Sequence, residues 1–266
     1  MRLLVALVML LAVPAQALEL DGSFTQGGLV IGQTDPGAQI NLDGEAVDVA
    51  ANGAFVIGFA RDAKPSASLS VTKPDGTVET QKLTIAKQDY KIQRIDGLPS
   101  RKVTPNPDDV KRIKADNAKI WDVRATMSPD TRFLSGFTWP VTGPISGVFG
   151  SQRILNGKPK SPHNGVDVAA PRGSTIHAPA DGVVALVHSD MFYTGKTLMI
   201  DHGLGLTTVY AHMDAIFVIE GQVVRQGDPV GKVGKTGRAT GPHLHWGMTW
   251  KGTHLDPALA AGPMAK

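Results

Sequence analysis

The sequence predicts an all-β protein in which two glycine-rich β regions are joined by one helix, and three observations point there. The chain carries 30 glycines and 18 prolines among 266 residues, above the roughly 7% and 5% of average usage, so it turns often. Short apolar runs of strand length are punctuated by Asp-Gly and Asn-Gly pairs, the residues that tight hairpin turns require. One segment alone shows sustained helical spacing. These features exclude a helical bundle, and the absence of internal repeats excludes a solenoid. The 27 Lys and Arg stand against 24 Asp and Glu, a formal charge of +3. Without dense basic runs interleaved with aromatics, no nucleic-acid partner is expected. Cysteine is absent, which removes thiol nucleophiles, Cys-ligated metals and disulfides. Any metal must be held by His and carboxylate.

The elements follow in chain order. Arg2, the apolar run Leu3 to Val13 and Ala15-Gln16-Ala17 have the order of a secretory signal, and the run is shorter than the ~20 residues needed to span a bilayer. Residues 1–17 are therefore expected to be removed, leaving an exported chain with no stable membrane anchor, periplasmic or, alternatively, secreted. Residues 18–95 read as short strands: Leu29 to Gly32, Gln39 to Leu42, Ala54 to Ile57, Leu69 to Thr72 and Thr77 to Thr80, with turns at Asp43-Gly44, Asn52-Gly53 and Asp75-Gly76. Their pattern resembles the small immunoglobulin-like modules of bacterial exported proteins, and they carry no catalytic cluster. Residues 96–138 read as a linker holding a helix. Asn106 caps it, Pro107 suits its first position, and Asp108 and Asp109 favour the positive end of its dipole. Val110, Ile113, Asn117, Ile120 and Trp121 recur at helical spacing and predict one docking face, and Ser128-Pro129 ends the helix. Residues 139–266 are again β-rich, with strand-like runs at Gly182 to Val187, Thr197 to Ile200 and Thr207 to Tyr210.

Five residues able to bind metal fall in three clusters within this last region: His163 with Asp167, His212, and His243 with His245. On a strand, His243 and His245 share a face about 7 Å apart, so both imidazoles reach one cleft. His163 and Asp167 would stand about 13 Å apart on an extended chain, so Gly165 is expected to bend it. Two nitrogens and one oxygen would leave a fourth tetrahedral position open, the signature of a catalytic zinc. Spacing alone leaves open which histidines ligate. His177, His188 and His254 read as structural or surface residues, and His202 as a turn residue near the site. Gly195-Lys196-Thr197 and Gly234-Lys235-Thr236 lack the upstream glycine of a phosphate loop, and there is no His-Glu-x-x-His.

In His163-x-x-x-Asp167, Tyr210-Ala211-His212 and Gly241-Pro242-His243-Leu244-His245, the sequence resembles the LytM/lysostaphin-type (M23) zinc peptidases. The resemblance runs from about Trp139 to Pro257 and includes Ala178 to Gly182 and Asp201-His202-Gly203. It implies a glycine-rich antiparallel β domain of barrel-sandwich character over 139–266. It also implies one Zn²⁺ ion held by His163, Asp167 and His245, and His212 and His243 as the catalytic pair beside it. The substrate it implies is peptidoglycan, cut at peptide cross-links, with D,D-endopeptidase cleavage favoured. Residues Ser151 to Ser161 lie where family members vary and are expected to form a cleft-edge loop. The competing class is a silent wall-binding protein or amidase activator that kept the cleft and lost turnover, against which the complete set of five positions argues.

Overall fold

The computed structural model describes residues 18–265; the export signal expected at residues 1–17 lies outside the described residues. Strands β1 (Glu19–Gly22), β2 (Leu29–Gln33), β3 (Gln39–Leu42), β4 (Glu45–Val47), β5 (Ala54–Gly58), β6 (Ser66–Thr72) and β7 (Val78–Thr84) form two antiparallel sheets, ordered β1-β2-β5 and β4-β3-β6-β7. Asp43 and Gly44 join β3 to β4 with φ of 52° and 89°, the left-handed pair that a two-residue hairpin demands. The alternating burial of β6 matches a sheet with one face on a core.

Strand β8 (Ile92–Ile95), helices α1 (Ser100–Val103) and α2 (Pro107–Ala125) and a 3-10 turn at Arg132–Ser135 lead into the second part. This holds β9 (Ile145–Gly147), β10 (Gln152–Leu155), β11 (Lys158–Pro159), β12 (Val166–Ala169), β13 (Thr175–His177), β14 (Gly182–Met191), β15 (Gly195–Gly203) and β16 (Leu206–Met213). It continues with β17 (Ala215–Ile216), β18 (Val223–Val224), β19 (Pro229–Lys232), β20 (His243–Trp250), β21 (Thr253–Leu255) and helix α3 (Pro257–Ala261). The main sheet runs β18-β14-β15-β16-β20-β12-β9, with β21 on β20, and a smaller sheet runs β13-β19-β17. Every pairing in these two sheets is antiparallel, so the second part has the antiparallel β architecture expected of it. Strand β8 pairs in parallel with β10, which pairs with β11.

Helix α2 starts as its sequence predicts: the Asn106 side chain accepts the Asp109 N–H at 2.8 Å. Its docking face agrees with the expected one only in part. Ile120 packs, with Val123, on Leu186, Met191, Met199 and Val209, whereas Val110 and Trp121 are 39% and 55% exposed. The reason is that two acids hold the inner face. Asp109 is bound by Arg101, and Asp116 accepts the Phe192 N–H at 2.7 Å, so the helix rotates to bury them.

One apolar cluster crosses from the first part to the second, joining Phe55, Ile57 and Phe59 to Leu206, Met248, Trp250 and Leu255. The approach is close: a Cβ on Gly58 would lie 2.8 Å from Leu255 Cδ2. The Asp256 N–H donates to Gly27 O at 2.7 Å, and Arg61 Nε donates to Gly150 O at 2.7 Å. On β15, fully buried His202 faces Asp181 O with Nδ1 at 2.6 Å and Thr208 Oγ1 of β16 with Nε2 at 2.8 Å, and Thr208 Oγ1 lies 2.8 Å from Tyr210 Oη. His202 is thus part of the core hydrogen-bond network, and burial pushes its pKa down to about 4.

Two outcomes follow for stability. Leu255→Ala removes a fully buried side chain where the two parts meet, and should cost about 2–5 kcal/mol, lowering the thermal midpoint by roughly 5–20 °C. An unchanged melting curve would contradict the shared core. Because folded His202 has a pKa below its unfolded value, the unfolded chain binds more protons between pH 6.5 and about 4. Stability should therefore fall as pH drops through that window, by up to roughly 1.4 kcal/mol per unit from this group. His202→Gln should flatten the slope of melting temperature against pH.

Candidate metal centre

Asp167 and His245 face each other across the antiparallel pair β12 and β20. Because directly opposed residues share a sheet face, their side chains meet: His245 Nδ1 is 2.9 Å from Asp167 Oδ1. His163 enters from the segment before β12 through a bend at Gly165. Its Nε2 lies 3.1 Å from Asp167 Oδ1 and 3.0 Å from His245 Nδ1. His163 is 1% exposed and Asp167 6%. Two glycines make the room. A Cβ on Gly165 would lie 2.4 Å from Trp246 O and 2.9 Å from His245 Cε1, and a Cβ on Gly147 would lie 2.5 Å from Asp167 Oδ2 and 3.1 Å from His163 Cε1.

These three atoms suit a cation. His163 Nδ1 lies 3.1 Å from Val148 O; a carbonyl only accepts, so the proton sits on Nδ1 and the Nε2 lone pair faces the centre. Burial pushes His163 down to about 4, keeping it neutral near pH 7. Burial opposes ionisation of Asp167, but the neighbouring His163 and His245 imidazoles outweigh it and hold the carboxyl well below the usual range. Among the described residues, His163, Asp167 and His245 bring their ligand atoms within 4.8 Å of one another. Zinc bonds of 2.0–2.1 Å in a tetrahedron give ligand edges of about 3.3 Å, so this triangle needs to open by only a few tenths of an ångström.

His212 and His243 lie alongside, with ring centroids 4.7 Å apart. His212, at the end of β16, has φ of 63°, and its Nδ1 lies 2.8 Å from Thr236 O. His243 Nδ1 lies 2.9 Å from Gly241 O. Both carbonyls fix the Nδ1–H tautomer and leave Nε2 with its lone pair. Burial first, then the neighbouring His243 and His245, push His212 down to about 3. Both rings line a cleft of about 320 Å³ that also reaches Asp167. The five residues of the sequence motifs are therefore brought together, three converging on a point and two in tilted ring contact beside it.

Sequence reasoning missed Arg153. The expected variable loop at Ser151 to Ser161 contains the β10–β11 hairpin, from which Arg153 Nη2 donates to Asp167 Oδ2 at 2.6 Å. Strand β8 supports it, since Gln93 Oε1 accepts from Arg153 Nε at 3.2 Å. No motif marks this arginine; only the topology carries it to the site. His177 and His188 lie away from the metal-ligand triangle. His254, expected at the surface, is half-buried, with Nδ1 lacking a hydrogen-bond partner.

The antiparallel sheet and the His-Asp-His triangle define a β protein with three side chains placed so that they could hold a cation. Its family follows from comparison with known proteins. The family model described as peptidase family M23 matches residues 161–257. A crystal structure assigned to peptidase M23 from Pseudomonas aeruginosa is 31% identical, with a TM-score of 0.70 over 90% of this chain and 96% of that one. The chain belongs to peptidase family M23. DD-carboxypeptidase/endopeptidase Mpg of Neisseria meningitidis serogroup B is 44% identical over 101 residues, 38% of this chain and 23% of Mpg. Peptidoglycan DD-endopeptidase ShyB of Vibrio cholerae is 40% identical over 105 residues, 40% of this chain and 24% of ShyB. The match thus spans about a quarter of the length of these curated relatives.

Gly147→Ala tests the geometry. The new methyl group meets a carboxylate that Arg153 pins from the other side, so zinc affinity measured against a competing chelator should fall at least about tenfold while circular dichroism is unchanged. Gly241→Ala, where a Cβ meets nothing within 4 Å, should keep zinc. Full zinc affinity in Gly147→Ala would contradict the assignment of Asp167.

Proposed function

We propose that this chain is an exported zinc peptidase that hydrolyses peptide cross-links of peptidoglycan as a D,D-endopeptidase. The observation that carries the reading is the convergence of His163 Nε2, Asp167 Oδ1 and His245 Nδ1 at 2.9–3.1 Å, beside two histidines of fixed tautomer in a cleft. Family membership supports the peptidase class. The printed names of Mpg and ShyB support the D,D bond and the peptidoglycan substrate. The signal-like residues 1–17 support export to the periplasm, and among the described residues no helix is long and apolar enough to cross a membrane.

In this reading His163, Asp167 and His245 hold one zinc ion. Bound there, zinc supplies Lewis-acid chemistry, polarising a carbonyl and making water a nucleophile near neutral pH. Arg153 holds the outer carboxylate oxygen of Asp167, so that the inner one keeps its aim. His212, neutral and with Nε2 free, accepts a proton at that atom. His243, when its imidazole is in the charged form and Nε2 carries a proton, donates from that atom to the developing oxyanion or the leaving nitrogen from the opposite ring. Residues 139–266 carry the whole set, with Ile95 and Leu98 of the 92–103 segment bordering the cleft.

Metal content and release of fragments from purified sacculi test the division of roles. His163→Ala, Asp167→Ala and His245→Ala should lose zinc and activity together. His212→Ala and His243→Ala should keep zinc and lose at least ~10²-fold in turnover. If His243→Ala loses zinc while His245→Ala keeps it, the roles of the two are exchanged.

A further inference from the structure

We infer that Arg238, with Arg153 beside it, forms a carboxylate subsite that reads the free carboxylate on the leaving-group side of the scissile bond. The inference rests on the peptidase reading above and names what that site selects.

Arg238 lies on the loop between β19 and β20, the same loop whose Thr236 and Gly241 carbonyls orient His212 and His243. The loop is tied down there by the Arg238 N–H, which donates to Tyr193 O at 2.7 Å. The guanidinium is half-buried and stacks over the Tyr193 ring, 4.3 Å from its centroid. Its one polar side-chain contact is a long one, from Nη1 to Lys102 O at 3.4 Å. Arg153, Arg101, Arg132 and Arg172 each meet a carboxylate, whereas among the described residues Arg238, like Arg94, Arg124 and Arg225, has none within ion-pair distance, and of these four it is Arg238 that borders both cavities at the metal centre. Burial lowers its pKa, and the positive charge of Arg153 adds to that effect.

The placement gives this unpaired charge a use. Arg238 and Arg153 together border two cavities that flank the metal centre. One is also lined by Asp167, His212 and His243, and the other by His163, His245 and Lys160. A partly desolvated guanidinium without a counter-charge is costly, and a carboxylate ligand removes that cost while matching the planar fork of its donors. In a D,D bond of peptidoglycan, the carbon attached to the scissile nitrogen bears a free carboxylate. This holds when the leaving residue is a terminal D-alanine or a cross-linking diamino acid whose linked amine sits on a carboxylate-bearing carbon. That carboxylate is separated from the scissile nitrogen by a single carbon, so a bond held at the metal centre brings it to the cavity wall. Selection by Arg238 would thus favour bonds with a free carboxylate on the leaving side over the same bonds with that group amidated.

The test uses the zinc-loaded full chain with two probes, Nα,Nε-diacetyl-L-lysyl-D-alanyl-D-alanine and its C-terminal amide. Dissociation constants come from calorimetry and initial rates from the same samples. The acid should bind at least about tenfold tighter than the amide, since a site built for a polar group rejects the analogue lacking it. In Arg238→Gln the ratio should fall to within about twofold, and in Arg238→Lys, which keeps the charge without the fork, it should be intermediate. Zinc content and melting temperature report whether each variant folds, and Arg238→Lys serves if Arg238→Gln does not. Equal affinities in the unaltered chain, no measurable binding of the acid, or a ratio that survives Arg238→Gln and Arg238→Lys would overturn the subsite. Binding discrimination without cleavage of either peptide or of sacculi would instead overturn the peptidase reading.

Discussion

The site depends on one pairing: Asp167 opposite His245 across β12 and β20. In an antiparallel ladder a one-residue slip turns every side chain to the other face, so register alone decides whether carboxylate and imidazole meet. That register is held from both sides. Strand β16 pairs with β20 along six residues and is buried throughout, and β9 pairs with the outer edge of β12. The remaining parts are built onto this pair. His163 is folded in by a bend, Arg153 grips the outer oxygen of Asp167, and the His212 and His243 rings meet at the neighbouring strand ends.

Close approach is the second constraint, and it explains part of the glycine content. Gly147 and Gly165 stand where a single methyl group would strike Asp167, His163, Trp246 or His245. Their value lies in what they leave out, since neither has the positive φ that reserves other positions for glycine. Packing ties the site to the rest of the molecule. The cluster from Phe55 to Leu255 joins the first part to β16, β20 and β21 of the main sheet, and β8 lays a strand from the connecting segment against the hairpin that carries Arg153. A residue far from the metal motifs in the chain, Gln93, thus helps to orient a ligand.

Local chemistry made much of this legible in the sequence. Asp43, Gly44 and Gly76 fall at hairpin turns because few other residues accept left-handed backbone cheaply. The i, i+2 spacing of His243 and His245 on one strand face follows from the pleat alone. The three histidine clusters are readable as one constellation through the family resemblance, although their assembly depends on a strand order that the sequence does not show. What stayed hidden depends on long-range placement. Arg153 and Arg238 sit in no motif, and only the fold shows one bound to Asp167 and the other unpaired. The docking face of α2 is legible only in part for a related reason: the apolar periodicity holds Ile120, which packs, together with Val110 and Trp121, which do not, because partners for Asp109 and Asp116 exist only in the folded molecule.

The central claim is that two imidazoles and one carboxylate hold a single metal ion while His212 and His243 stay outside its shell. X-ray absorption at the zinc edge of the purified full chain measures this most directly. The account predicts one zinc per chain, with two imidazole nitrogens and a carboxylate oxygen among light-atom ligands at about 2.0–2.2 Å. A shell holding three or four imidazoles would bring His212 or His243 onto the metal and contradict it.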